Sequence, residues 1–340
     1  MFKPAICLST TLALLAPLLI ASAQANVLVN PDNFVRAETD RYFSAVVAQD
    51  GFGKFHHHRE PMAIAKQTVV RPNRDTLYSA AIFDLDAGPV TVTLPNAGTR
   101  YMSMQVINED HYVTSFVYGQ GSYRLTREQA GTRYVIVGVR TLFDPGLAKD
   151  IDQVHALQDA IKVQQASTGS FAVTNWDPVS QKTVRDALVQ LGSTLPDTRH
   201  MFGTRDQVDP VRHVIGAAMA WGGNPEQDTF YLTVTPPRND GKTQHVLKVK
   251  DVPVDAFWSV SVYNAKGYFE PNAINAYSLN SLTAKRGADG LAAIQFGGCD
   301  GTSANCLPIT EGWNYTVRLY RPHAEILDGA WSFPVAQPLN

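Results

Sequence analysis

Apolar and polar residues alternate along two long stretches of this chain, and the stretch between them changes period. From Gln67 to Val139 the pattern is that of half-buried strands. Runs fall at Gln67–Val70, Leu77–Asp84, Val90–Leu94, Tyr101–Asn108, Val113–Tyr118, Ser122–Leu125 and Tyr134–Val139. The breaks Ala87-Gly88-Pro89, Pro95 to Gly98 and Tyr118 to Gly121 carry ordinary turn residues. In Tyr101–Asn108, Met102, Met104 and Val106 share one face, and Tyr101, Ser103 and Gln105 share the other. Before this region, Phe34, Ala37, Tyr42, Phe43 and Val46 recur at helical spacing, predicting a helix from Asn30 to Ala48. After it, Ile151, Val154, Leu157, Ile161 and Val163 predict a helix within Pro145 to Ser167. Asn175-Trp176-Asp177-Pro178 caps another that runs to Leu191, and shorter helical segments cover Met201–Gly203 and Pro210–Trp221. Gly216 to Gly223 is rich in small residues and points to close packing at a domain junction.

From Asp228 the alternation returns. Strands are expected at Thr229–Val234, Gln244–Val249, Phe257–Tyr263, Ala292–Phe296, Asn314–Tyr320 and near Trp331. Short strands between Gly, Asn, Asp and Pro turns suggest a sandwich or jelly roll. The fold class expected is mainly β with α segments (α+β). A β-rich domain would cover residues 26–165, a helical connector 166–227, and a jelly-roll-like β-sandwich 228–340.

Composition adds a compartment. Met1 to Ala25 has a basic start at Lys3, an apolar core from Leu12 to Ile20 and an Ala23-Gln24-Ala25 cleavage site, with Ala21-Ser22-Ala23 as an alternative. That is a secretory leader, and Asn26 would be the first mature residue. Its core is too short to cross a bilayer of about 30 Å. No later run is long and apolar enough to do so, and the mature chain is expected to be periplasmic or secreted. The mature chain of about 315 residues exceeds one typical domain. Without Lys3 the chain has 28 basic residues against 31 acidic ones, a net charge near −3. That balance gives no case for nucleic acid or anionic lipid. A homo-oligomer is compatible with it. Cys7 leaves with the leader. Cys299 and Cys306, an even pair in an oxidising compartment, are expected to form a disulfide around the Asp300–Asn305 loop.

Candidate chemistry concentrates at Arg71 to Ser79, Arg-Pro-Asn-Arg-Asp-Thr-Leu-Tyr-Ser. A plain turn needs no such density of polar groups. Arg71, Arg74 and Asp75 can hold one another in a charge-assisted network. Such a network either pins the start of a strand or forms a polar site on a rigid strand end. A second polar cluster, Asn108-Glu109-Asp110-His111-Tyr112, also closes a strand.

These residues carry a resemblance. Asn73 to Ser79, with Phe83-Asp84-Leu85, Gly88-Pro89, Arg100-Tyr101 and the Asn108–Tyr112 cluster, resembles the DUF1254 signature. Phe257 to Tyr263, Gly267-Tyr268-Phe269, Asn275 to Asn280, Leu307-Pro308, Arg318-Leu319-Tyr320 and Ile326 to Trp331 resemble the DUF1214 domain. The resemblance implies an exported protein of two β-rich domains, the second jelly-roll-like. It supplies no reaction.

The expected function is binding of a polar small molecule or glycan at a cleft lined by Arg, Asp and Tyr. Asn73, Arg74, Tyr78, Arg100 and Asn108 would bind it, with Tyr263, Tyr268 and Tyr277 adding rings for stacking. Arg74 and Arg100 would favour a carboxylate or phosphate. One alternative is a hydrolase acting on a glycan or ester. Asp75 and Asp110 would then be paired carboxylates and His57 a proton-transfer partner. That requires Asp75 and Asp110 to face one cavity within about 5–10 Å. Another alternative is a structural or interaction protein, in which the motif is a buried clamp. No Gly-x-Ser-x-Gly, phosphate loop or Gly-x-Gly-x-x-Gly is present, and no cofactor is expected. His56-His57-His58 attracts a metal reading, as does a set of His57, His111 and Asp110. Neighbours on an extended chain point to opposite faces, so at most His56 and His58 converge, or His57 acts alone. Hydrogen bonding and packing are the expected roles, and no metal is expected.

Overall fold

A computed structural model describes residues 26–67 and 69–339. The expected leader lies outside the described residues. The N-terminal part runs α1 (Phe34–Ala48), β1 (His56–His57), β2 (Thr76–Asp84), β3 (Val90–Leu94), β4 (Met102–Asn108), β5 (Val113–Tyr118), β6 (Gly121–Leu125), a short α2 (Arg127–Ala130), β7 (Tyr134–Leu142), α3 (Asp150–Asp159) and β8 (Lys162–Gln165). A five-stranded antiparallel sheet has the order β1-β2-β7-β4-β5, and a three-stranded one the order β6-β3-β8. One face of the large sheet, with Ala81, Phe83, Met104, Val106, Val137 and Val139, packs on Val90, Val92 and Leu94 of the small one. The opposite face buries Ile82, Ile107 and Ile136 against Phe43 of α1. Helix α1 covers only that end, so the rest of the face needs another cover.

Two helices follow, α4 (Pro178–Gly192) and α5 (Pro210–Met219). Each starts with Pro behind an aspartate cap, Asp177 accepting from the Ser180 N–H and Asp209 from those of Val211 and Arg212. Both pack on α1 around Val29, Phe34, Ala37 and Ala217. Trp221 stacks on Tyr42 at 4.3 Å.

The C-terminal part holds β9 (Thr229–Val234), β10 (His245–Val249), β11 (Val254–Tyr263), β12 (Ser278–Asn280), β13 (Ala292–Phe296), β14 (Cys306–Leu307), β15 (Asn314–Pro322), a short α6 (Ala324–Leu327) and β16 (Gln337–Pro338). Two four-stranded sheets, β14-β13-β10-β16 and β12-β11-β15-β9, form a sandwich. Trp258, Val260, Val317 and Leu319 of one meet Leu247, Ile294 and Phe296 of the other. A disulfide joins Cys299 to Cys306, with Cα atoms 5.6 Å apart. No helix of the described residues is long and apolar enough to cross a membrane. The fold is α+β with β predominant, as the patterning predicts.

Four expected elements differ, the simplest being Met201–Gly203, which forms a bend before α5 and no helix. Gln67–Val70 has no ladder among the described residues; instead the Gln67 amide pairs with the Phe269 backbone, tying this segment to the sandwich. The helix expected within Pro145 to Ser167 stops at Asp159, and Lys162–Gln165 forms β8 on the edge of β3. Ile161 and Val163 are two apart, a strand period that the helical reading absorbed. The last strand lies at Gln337–Pro338 rather than near Trp331.

Candidate functional site

The outer face of the β12-β11-β15-β9 sheet decides the geometry. Its alternate positions carry Ser259, Ser261 and Tyr263 on β11, Asn314, Thr316, Arg318 and Tyr320 on β15, Thr229 and Tyr231 on β9, and Asn280 on β12. A polar outer face normally meets water. Here Ser259, Ser261, Tyr263, Asn314, Thr316, Arg318, Tyr320, Thr229 and Asn280 are buried, because the Arg71–Ser79 segment and the end of the large N-terminal sheet cover them.

The covering contacts are dense. Arg318, 4% exposed, donates to Ser261 Oγ at 3.0 Å, Tyr263 Oη at 2.8 Å and the Arg71 carbonyl at 2.8 Å. Tyr263 Oη donates to the Pro72 carbonyl at 2.7 Å. Asn73 Nδ2 donates to Tyr320 Oη at 2.9 Å and Tyr78 Oη at 3.2 Å. Asn280 Nδ2 donates to Asp75 Oδ1 at 3.1 Å, while Asp75 Oδ2 has no partner among the described residues. Arg71 sits at φ +50°, its N–H on the Gly267 carbonyl. Arg74 donates to the Met62 carbonyl, with its guanidinium 5.5 Å from the Tyr277 ring centre. Burial pushes the Asp75 carboxyl up, and the Arg318 charge and the hydrogen bond from Asn280 oppose this without cancelling it. Burial pulls Arg71 and Arg74 down.

Beside this clamp, the same face of the large sheet is open over its middle strands, a trough bounded on one side by the Gly222–Gly223 segment, which buries Gln105. Register puts His56, Ala80, Gly138, Gln105 and Phe116 in one row across all five strands. Directly opposed residues share a face. The two smallest side chains therefore occupy the middle of the row, between His56 and Gln105, a span of about 14 Å at the usual strand spacing. Gly138 is in the central strand yet half-buried, and a Cβ there would meet no atom within 4 Å. The next row toward the clamp is Tyr78, Arg140, Ser103 and Tyr118. Arg140 donates to Gln105 Oε1 at 2.7 Å and the Gly222 carbonyl at 2.8 Å. Its ionisable neighbours are the phenols of Tyr78, Tyr231 and Tyr101, and among the described residues it has no carboxylate partner. Burial raises the Tyr78 phenol, but the Arg140 charge and the hydrogen bonds to Thr76, Asn73 and Arg140 outweigh it and leave Tyr78 below its ordinary value.

The structure gathers Asn73, Arg74, Asp75, Tyr78, Tyr263 and Tyr277 at the junction. Tyr268 stands on the adjoining Asn264–Tyr268 turn, and its neighbour Phe269 packs against Tyr263 and Tyr277. It does not gather the others. Asp75 precedes Thr76, which pairs with Leu142, whereas Asn108 pairs with Val135 at the far end of β7. About 24 Å of strand separates the two ends. Asp75 and Asp110 therefore cannot work as a carboxylate pair, which needs at most about 10 Å. Asp110 instead faces Arg36 at 2.5 Å. Asn108 is a turn residue whose Oδ1 accepts from the N–H groups of Asp110 and Tyr112. Arg100 is taken by Asp150, in a two-bond pair at 2.5 and 2.9 Å. His57 faces the opposite side of the sheet, Nδ1 2.7 Å from Ser79 Oγ. His111 lies under Trp221, its Nε2 accepting from the Gly222 N–H, so His57, His111 and Asp110 do not converge. A hollow of about 360 Å³ between the β5 and β6 edges contains none of the expected site residues.

Gly138, Arg140, Gln105 and Arg318 were missed by sequence reasoning. Two signals were available. A glycine inside the Tyr134–Leu142 strand marks a close approach or an open space, and Arg140 occupies an inward position of an otherwise apolar run.

Residues 52–138 match the family model described as "Protein of unknown function (DUF1254)", and residues 235–324 match "Protein of unknown function (DUF1214)". A crystal structure of a Vibrio parahaemolyticus protein is similar, with 17% identity, a TM-score of 0.68 and coverage of 90% of this chain and 96% of that one. An uncharacterized protein from Burkholderia cenocepacia is similar at 14% identity and a TM-score of 0.53, covering 91% of this chain and 88% of that one. Both likenesses concern the fold. No curated protein matches the chain.

Proposed function

Because this chain belongs to the proteins that join a DUF1254 domain to a DUF1214 domain, whose descriptions carry no activity, we propose its function from the site: binding of a small polar molecule that carries a carboxylate or phosphate. The ligand would lie over Ala80 and Gly138, with its anionic group on Arg140 and hydrogen bonds to Gln105 and Tyr78.

The carrying observation is the charge balance around the junction. Arg71, Arg74, Arg140 and Arg318 stand against Asp75 and, beyond Tyr118, Asp228; Arg140 has no carboxylate partner among the described residues, and Gly138, one row along the same face, has open space over it. Buried charges are ordinarily paired, and an unpaired one is costly. A bound anion would supply the missing partner, in the two-pronged geometry that suits guanidinium. The disulfide and the lack of a spanning helix among the described residues are compatible with an exported soluble protein, which would meet such molecules outside the cytoplasm.

Two variants test this. Gly138 does not have a positive φ, and a side chain there meets open space, so Gly138→Leu should fold normally while filling the trough. Thermal shift and calorimetry would compare sugar acids, aliphatic di- and tricarboxylates and phosphates with neutral sugars. An acidic compound at 100 times its Kd should stabilise the wild type by about 2.7 kcal/mol. Both Gly138→Leu and Arg140→Gln should lose that effect. Equal binding of neutral sugars, or binding that survives both variants, overturns the reading.

A further inference from the structure

We propose that His56 and His58 form a two-imidazole chelate for a divalent late first-row transition ion, Cu²⁺, Ni²⁺ or Zn²⁺, at the β1 edge of the trough. The parity is fixed by the residue between them. His57 is opposite Ser79 and turns to the other face, where its ring meets Ser79 Oγ, so His56 and His58 share the trough face. His56 is opposite Ala80, and the His58 N–H donates to the Tyr78 carbonyl, which continues the same edge. The edge is accessible, with His56 half-buried and His58 exposed.

The ring spacing fits one metal ion. The ring centres are 4.9 Å apart and the planes are inclined at 77°. A metal held by a ring nitrogen lies about 3.2 Å from the ring centre, the sum of a bond of about 2.1 Å and half a ring width. Two centres 4.9 Å apart then subtend about 100° at a shared ion. That angle lies between the right angle of square-planar or octahedral sites and the tetrahedral angle, so all three ions are admissible. Metal binding needs neutral imidazole.

Among the described residues no third His, Cys, Asp or Glu completes the group. The remaining coordination positions would go to water or to an acidic group on a molecule in the trough. The chelate does not depend on the anion reading, because both nitrogens come from the chain.

The test uses the mature chain without a polyhistidine tag, titrated with Cu²⁺ and separately with Zn²⁺ in a non-coordinating buffer. Calorimetry should show saturable binding of one ion. Electron paramagnetic resonance of the Cu²⁺ form should show coupling to two imidazole nitrogens. In His56→Gln and in His58→Gln, each verified as folded by circular dichroism, saturable Zn²⁺ binding should be lost and the Cu²⁺ spectrum should fall to one imidazole. His57→Gln and Gly138→Leu should bind as the wild type does, and the second separates this proposal from the anion site. Absence of saturable binding, or binding unchanged in the His56→Gln/His58→Gln double variant, overturns the chelate. Loss in folded His57→Gln with His56 and His58 intact overturns it too.

Discussion

Arg318→Met removes the cation on which the two domains converge. Arg318 is buried, reaches Ser261, Tyr263 and the Arg71 carbonyl, and is the principal charge opposing the burial of Asp75. Methionine keeps much of the volume and none of the donors. Arg318 acts on Asp75 at longer range than a direct ion pair, so the cost of stranding the buried carboxylate lies toward the lower end of the about 3–5 kcal/mol for breaking a buried pair. The Arg71 carbonyl loses a donor as well, worth about 1–3 kcal/mol on its own and not fully additive. We expect a loss of about 4 kcal/mol, a drop in Tm of about 10 °C for a chain of this size. The stranded charge supplies the sharper assay. Asp75 already titrates above an ordinary aspartate, and it should titrate higher still without Arg318. A carboxyl whose folded pKa exceeds its unfolded value binds its proton more tightly in the native state, so stability is lost as pH rises through the folded value and regained as pH falls. Urea unfolding of Arg318→Met should therefore recover stability on going from neutral pH toward the unfolded aspartate range, more steeply than the wild type. Asp75→Asn in the Arg318→Met background should recover most of the loss at neutral pH, because an amide carries no stranded charge. If Arg318→Met costs under about 1 kcal/mol, or if Asp75→Asn deepens the loss, the junction is not held by this pair.

Other parts of the molecule give separate expectations. Asp228, which accepts from Tyr118 Oη at 2.9 Å across the domain boundary, is pushed up to about 6 by burial. Its sign is the same, so wild-type stability should fall as pH rises through that value. Asp228→Asn should flatten the fall by about 1 kcal/mol after allowance for solvent screening, with Asp40, also raised to about 6, left to account for the remainder. Arg100→Ala should cost about 3 kcal/mol through the stranded Asp150 carboxylate and leave ligand binding unchanged, since the pair faces α3 and not the trough; weakened binding at equal stability would contradict that placement. Reducing the Cys299–Cys306 bridge frees a loop of sequence separation 7, worth about 2–3 kcal/mol on the chain-entropy account, readable as a Tm drop of several degrees in excess reductant.

Strands were legible where one face is apolar and the other is not. Val90–Leu94, Val113–Tyr118, Thr229–Val234 and Ala292–Phe296 have the predicted limits. β12 and β14, of three and two residues, are too short to show a period. β8 was hidden because Ile161 and Val163 also fit a helix continuing from α3. The Arg71–Ser79 segment was legible as unusual, and its partners were not. Arg318, Asn280 and Tyr320 lie more than 200 positions away, and nothing in the local pattern distinguishes a polar strand face that meets water from one that meets another domain. The same limit defeated the Asp75–Asp110 pairing. Both carboxylates adjoin strand ends, but the ladder puts those ends on opposite sides of the sheet.

The density of Arg71–Ser79 is explained by two tasks at once. Asn73 and Asp75 hold the sandwich through Tyr320 and Asn280, while Tyr78, three residues further on, leans on Arg140 at the rim of the trough. A purely structural junction would be served as well by apolar residues, because buried ion pairs and lone guanidiniums are rarely the most stable filling for a given volume. The C-terminal sheet shows that this chain can make such a filling, since its inner face is apolar throughout Trp258, Val260, Val317 and Leu319. On the outer face of that sheet, and on the half of the N-terminal sheet it covers, the chain keeps guanidiniums, amides and phenols instead. The clamp fixes the two sheets relative to one another, and Gln105 and the Gly222 carbonyl hold the Arg140 guanidinium over the Tyr78 ring. A guanidinium held in place before its anion arrives loses little side-chain freedom on binding. On the proposed function, the polar junction is the support for the trough, and the trough is where the ligand would sit.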